Sequence, residues 1–219
     1  MTSVNPMLNS GPQGATRLLL AHGAGAPVTS PFMDAIADLL AARDVATSRF
    51  EFAYMAARRD GAKKRPPPKT EVLITEYAAR IATVAASAPE CKTLVIGGKS
   101  LGGRIASMIA DEHFRAGSIA GLVCLGYPFH PPGQPDKLRT AHLETLGCPA
   151  LIVQGTRDPF GARNEVEGLK LSKNIKFHWA GDGDHDFGPR GNSGFTRKGN
   201  LSAAADAVSA FLRSLPHQR

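Results

Sequence analysis

The 219-residue sequence predicts an α/β protein: a mostly parallel sheet of six or seven strands with helices on both faces. Three observations carry the prediction. Short apolar runs such as Leu18 to Ala21, Thr93 to Ile96 and Leu151 to Val153 lack the in-out alternation of a half-exposed strand, so they suit strands buried on both sides. Segments with helical periodicity separate these runs in regular alternation. Glycine-rich turns follow the runs, at His22-Gly23-Ala24-Gly25-Ala26 and at Gly98-Lys99-Ser100-Leu101-Gly102.

The elements follow in order. Leu18 to Ala21 is a strand, and a helix from about Pro31 to Ala42 follows it, with Ser30 at the N-cap and Pro31 at the first helical position. Arg49 to Ala53 resembles the second strand. A proline-rich basic loop precedes a long amphipathic helix from Thr70 to Ala88, with Thr70 as candidate cap and Pro89 as the stop. Thr93 to Gly97 is a strand. Leu101 to His113 is a helix whose Ile105, Met108 and Ile109 are spaced to face a core. Ile119 to Leu125 gives another strand, and a loop from Tyr127 to Asp136 leads toward the strand Pro149 to Gln154. A helix from Arg163 to Leu171, a strand from Ile175 to Trp179 and a closing helix from Ser202 to Leu215, with Ala207, Val208, Phe211 and Leu212 inward, complete the chain. We expect Met1 to Ala15 to be weakly ordered and residues 16–219 to form a single domain.

Composition narrows the class. Hydrophobic residues are 42% and charged residues 21%, a globular balance, and no apolar run approaches membrane-spanning length. With no signal-peptide pattern at Met1, the expectation is a cytoplasmic protein without membrane contact. Cys91, Cys124 and Cys148 are odd in number and lack C-x-x-C spacing, which fits small buried hydrophobes. The net charge of +7 is concentrated at Arg58, Arg59, Lys63, Lys64, Arg65 and Lys69, a stretch without the aromatic platforms of nucleic-acid readers. We read it as a solvated loop, not a nucleic-acid surface. The histidines are scattered, no H-E-x-x-H occurs, and the Asp182, Asp184, Asp186 series lacks the remaining positions of a calcium loop, so neither metal nor cofactor is expected. Gly23 and Gly25 do not begin a dinucleotide fingerprint, because Val28 stands where the third glycine is required.

The chemistry centres on Gly98-Lys99-Ser100-Leu101-Gly102, a G-x-S-x-G string between a strand and a helix. A serine there sits on a sharp turn where side chains two before and two after would collide unless they were glycine. Asp158 follows a later strand in Gln154-Gly155-Thr156-Arg157-Asp158-Pro159, and His185 follows the last strand in Asp182-Gly183-Asp184-His185-Asp186. All three stand at C-terminal strand ends, where parallel sheets place their sites. A serine hydroxyl needs an adjacent imidazole to take its proton and a carboxylate to orient that imidazole. Ser100 is therefore the candidate nucleophile, His185 the base and Asp158 the orienting acid. Asp182, Asp184 and Asp186 are the weaker rivals, since residues beside a histidine tend to point away from its ring nitrogens.

The strand, elbow and helix, followed by an acid loop and then a histidine loop, resemble the α/β-hydrolase fold. The His-Gly-Ala-Gly turn, Ser30 to Met33 and Gly97 to Arg104 look like a small cap-less group similar to dienelactone-hydrolase-like proteins and to the hydrolase-like domain of a chromatin-complex subunit. The resemblance implies a serine hydrolase acting on a small carboxylic ester or thioester, with Ala24 and Leu101 N–H groups as the oxyanion hole and Gly25 as the alternative to Ala24. True dienelactone hydrolases carry a cysteine where this chain has Ser100. Gly25, Lys99, Tyr127 and Phe129 are candidate substrate contacts. Lys99 and Arg104, with Arg58 and Arg59, either line a pocket for an acidic acyl group or form ion pairs that never meet substrate. Tyr127 to Leu146 leaves room for a short lip containing Tyr127, Phe129 and His130 and no large cap, so an open site is expected. The alternative, from a different class, is a non-catalytic scaffold that uses its basic loop to meet an anionic partner.

Overall fold

A computed structural model describes residues 6–12, 16–59, 61, 63, 65–88 and 91–216. The sheet orders its strands β1-β3-β2-β4-β5-β6-β7. They are β1 (Leu8–Ser10), β2 (Thr16–Ala21), β3 (Ala46–Phe50), β4 (Thr93–Lys99), β5 (Gly121–Leu125), β6 (Ala150–Gly155) and β7 (Ile175–Ala180). Every pairing is parallel except that of β1 with β3. The helices are α1 (Pro31–Ala41), α2 (Ala53–Arg59), α3 (Thr70–Ser87), α4 (Leu101–Arg115), α5 (Arg163–Val166) and α6 (Arg197–Ser214), with a short 3-10 turn at Ala141–Leu143. None of them is long and apolar enough to cross a membrane.

Side chains along each strand point alternately to the two faces, so the sheet has two cores. Leu19, Ile96, Cys124 and Ile152 pack with Tyr77 of α3 and with Ile105 and Ile109 of α4. Leu18, Leu20, Val95, Val123 and Val153 pack with Met33 and Ile36 of α1 and with Val208 and Phe211 of α6. This double burial is why β2, β4, β5 and β6 read as continuous apolar runs. Met108, expected to face a core, is instead exposed on α4.

Five segments differ from the sequence expectation. β3 begins at Ala46, three residues early, because Thr47 and Ser48 are polar yet buried, as is Arg49 beside them. Their partners explain this: Arg17 donates to Ser48 Oγ at 2.9 Å, and Arg49 pairs with Asp34 at 2.5 Å while also donating to the Val28 carbonyl. Ala53, expected as the last residue of that strand, instead opens α2, which occupies the start of the expected loop. The segment before Thr16, where no element was expected, contributes the edge strand β1. α5 is a single turn instead of the expected helix to Leu171, and α6 begins at Arg197, five residues early, capped by Thr196 Oγ1 accepting from Gly199 N at 3.0 Å. Thr70 is the first residue of α3 and Lys69 holds the cap position, while Pro89 lies outside the described residues. Cys124 and Cys148 are buried as expected, and Cys91 is partly buried.

Between β2 and β4, one polar group is shut inside the core. The Tyr77 hydroxyl is fully buried, accepts from Gly97 N at 2.9 Å, and lies 2.9 Å from the Leu19 carbonyl and 2.6 Å from the Gly97 carbonyl. Removing it strands the Gly97 amide in an apolar setting. Tyr77→Phe is therefore expected to lower unfolding free energy by about 1–3 kcal/mol, read from urea midpoints; an unchanged midpoint would contradict this role.

Candidate active site

The strand-to-helix turn at Ser100 is built by close backbone approach. β4 ends at Lys99, α4 begins at Leu101, and Ser100 between them has φ 50° and ψ −113°. That is a costly conformation for a residue with a Cβ, and it persists because the surroundings over-determine it. A methyl group on Gly98 would stand 2.5 Å from the Ala21 carbonyl oxygen and 2.7 Å from the Gly102 carbonyl carbon. One on Gly102 would stand equally close to Ala21 O and 2.7 Å from His22 O. The two glycines thus let the turn press against the end of β2, and Ser100 N donates to Leu125 O at 3.0 Å on the other side.

Asp158 and His185 meet as the spacing suggested. Asp158 is fully buried just beyond β6, and its Oδ2 lies 2.8 Å from His185 Nδ1. The same oxygen accepts from Gln154 Nε2 at 2.9 Å, while Oδ1 accepts from Phe160 N at 2.9 Å. A carboxylate fixed in this way only accepts, so His185 Nδ1 carries the proton and Nε2 of the neutral ring is left without one. The other aspartates are occupied elsewhere. Asp182 pairs with Arg157 and Arg190, which holds its carboxyl well below the usual range. Asp184 Oδ1 accepts from the Asp186 and Gly188 amides at 2.9 and 2.8 Å, folding the loop that carries His185. Asn200 of α6 ties this loop down by donating to Gly181 O and Phe187 O, each at 2.9 Å.

Ser100 and His185 line one open cavity of about 480 Å³. The exposed turn Ala24 to Ala26 forms part of its wall, and Leu101 is the first residue of α4, where a backbone N–H has no partner inside the helix. Phe32, Met33 and Phe160 supply apolar surface, and the Phe160 ring lies 4.3 Å from that of His185. Sequence reasoning missed these three side chains and Arg197 at the edge. Their only signal was proximity in the chain to a turn, to Asp158 and to a helix start.

The other predicted residues divide. Lys99 lines the cavity although it is buried: its ammonium pairs with Asp186 at 3.2 Å and lies 5.2 Å over the Phe32 ring. Burial lowers its pKa and Asp186 opposes that shift. Gly25 also lines the cavity. Tyr127 and Phe129, expected at the substrate, are instead fully buried in the core on the α3 and α4 side. Tyr127 contributes through its backbone, whose N–H donates to Gln154 Oε1 at 2.7 Å and so steadies the amide that holds Asp158. The lip folds inward because the Tyr127 hydroxyl donates to Arg139 O at 2.8 Å and His130 is buried near Glu165. Arg104, Arg58 and Arg59 lie outside the cavity wall; Arg59 pairs with Glu51 at 2.9 Å, and Arg58 lies 5.2 Å over the Tyr54 ring.

His22, which the sequence placed outside catalysis, supports the turn beside Ser100. Its Nε2 accepts from Phe52 N at 3.2 Å, so Nδ1 holds the proton and donates to Gly23 O at 2.6 Å. Burial pushes its pKa down to about 4. The neutral ring therefore fixes the His22 to Ala26 turn at physiological pH.

Known proteins agree with this architecture. Residues 14–213 match the model of a family described as alpha/beta hydrolase domain. Among solved structures, the dienelactone hydrolase from Anabaena variabilis superposes with a TM-score of 0.70 at 20% identity, covering 96% of this chain and 90% of that one. An alpha-beta serine hydrolase homologue from Coxiella burnetii gives 0.67 at 18% identity, with 96% and 91% covered. The esterase domain of a Rhodothermus marinus protein gives 0.65 at 15%, with 95% and 92% covered. At these identities the likeness is one of fold.

The buried neutral imidazole makes stability depend on pH. His22 titrates near 4 in the folded chain against 6.5 for an unperturbed histidine, so the native state binds its proton more weakly. The contribution is complete above pH 6.5 and is lost as pH falls toward 4, about 3 kcal/mol in all. Urea midpoints between pH 7.5 and 4.5 should fall more steeply for the wild type than for His22→Gln; equal slopes would contradict the assignment.

Proposed function

The chain belongs to the alpha/beta hydrolase domain family, and from that membership we propose that it is a serine hydrolase cleaving a small carboxylic ester or thioester through an acyl-enzyme on Ser100. The observation that carries the reading is the buried Asp158 carboxylate, hydrogen-bonded to His185 Nδ1 in the cavity that Ser100 lines. Ser100 Oγ attacks the carbonyl carbon while its proton passes to His185 Nε2, and Asp158 stabilises the imidazolium that forms. The oxyanion is received by the Ala24 and Leu101 N–H groups, which lie in turns already held rigid and need little reorganisation. The intermediate collapses, the alcohol or thiol leaves with the His185 proton, and the acyl group remains on Ser100. Water, deprotonated by His185, then attacks the acyl carbon and releases the acid.

The cavity supports a small substrate. It is open, and between β5 and β6 the side chains of Tyr127, Phe129 and His130 are buried while the one short element is the turn Ala141–Leu143, too little for a cap. Phe32, Met33 and Phe160 offer apolar contact for a short chain, with little cover for a long one.

Two substitutions test the assignment with para-nitrophenyl acetate as substrate. Ser100→Ala is expected to abolish acyl-enzyme turnover, and Asp158→Asn to reduce kcat by about a thousandfold or more, because the amide no longer selects the productive tautomer. Near-wild-type kcat in folded Ser100→Ala would refute the nucleophile.

A further inference from the structure

Two cations line the cavity that holds Ser100 and His185, and they differ in their partners. Lys99 is buried and its charge is met inside the protein by Asp186 at 3.2 Å. Arg197 is exposed at the cavity edge, and among the described residues no carboxylate pairs with it. Its guanidinium is therefore the uncompensated charge of the cavity wall.

Local stability does not account for this arginine. Arg197 and Lys198 open the 18-residue helix α6, whose first turn contains no acidic residue. A helix N-terminus carries partial positive charge and favours anions, so a cation there is placed against the dipole. The guanidinium and the helix end together make this edge of the cavity electropositive. Phe32, Met33 and Phe160 leave much of the remaining wall apolar. The cations that end α2 do not compete, since Arg58 and Arg59 are engaged outside the cavity.

Resting on the hydrolase reading above, we infer that the substrate is an ester or thioester with an oxyanionic group, a carboxylate or phosphate, set apart from the scissile carbonyl, and that Arg197 selects it. A guanidinium presents a rigid fork of N–H donors that matches either group, while the uncharged part of the substrate rests on the apolar wall. The anion contributes to binding and touches none of the reacting atoms, so its effect falls on KM more than on kcat.

The test compares three esters on the whole chain. Para-nitrophenyl acetate is neutral, hemi-para-nitrophenyl glutarate carries a carboxylate on the acyl side, and para-acetoxyphenyl phosphate carries a phosphate on the leaving group. The wild type is expected to prefer one anionic ester, and which one identifies the side that faces Arg197. In Arg197→Gln the ratio of kcat/KM for that ester to kcat/KM for the acetate should fall about tenfold, as expected for losing a charged hydrogen bond. Arg197→Glu should lower it further, and Arg197→Lys should recover part of it. A ratio unmoved in both Arg197→Gln and Arg197→Glu, with all esters turned over, overturns this inference and leaves the hydrolase reading intact. Failure of the folded wild type to turn over any of the three overturns both.

Discussion

The site depends on one steric constraint, the contact of the β4–α4 turn with the end of β2. Gly98 and Gly102 lie so close to the Ala21 carbonyl that neither position has room for a Cβ. Ser100 is thereby held with φ at 50°, between a strand end and a helix start. Strain of this kind is stable only inside a rigid frame. The frame is the parallel sheet, with α3 and α4 on one face, α1 and α6 on the other, and the Tyr77 hydroxyl bonded between β2 and β4 beneath the turn.

Asp158, His22 and Lys99, buried around this turn, are matched by partners. Asp158 accepts from His185, Gln154 and Phe160, which assigns the His185 tautomer. His22 lies between Gly23 O and Phe52 N and remains neutral. Lys99 keeps Asp186 as its partner. In a medium of reduced polarity an unmatched group would be costly, so these pairings order the three loops that meet at the cavity.

Much of this was legible in the sequence where a residue's role depends on backbone geometry. The steric requirement at Gly98 and Gly102, the apolar runs of β2, β4, β5 and β6, and the strand-end positions of Asp158 and His185 are local properties of the chain. Roles that depend on distant partners were not legible. Thr47 and Ser48 read as non-strand residues because they are polar, and Arg17, which satisfies Ser48, is far away in sequence. Tyr127 and Phe129 looked like lip residues, yet an aromatic side chain after a strand can turn inward as readily as outward, and here the bond to Arg139 O draws Tyr127 in. The start of α6 was hidden because Gly199 and two cations disguise a helix that Thr196 caps.

The most direct test of the central claim is to treat the protein at neutral pH with a fluorophosphonate, digest it, and locate the adduct by mass spectrometry. The account predicts a single adduct on Ser100, absent after heat denaturation because the folded turn and the Asp158–His185 pair create the reactivity. Folded protein that takes no label, or takes it on a serine other than Ser100, would contradict it.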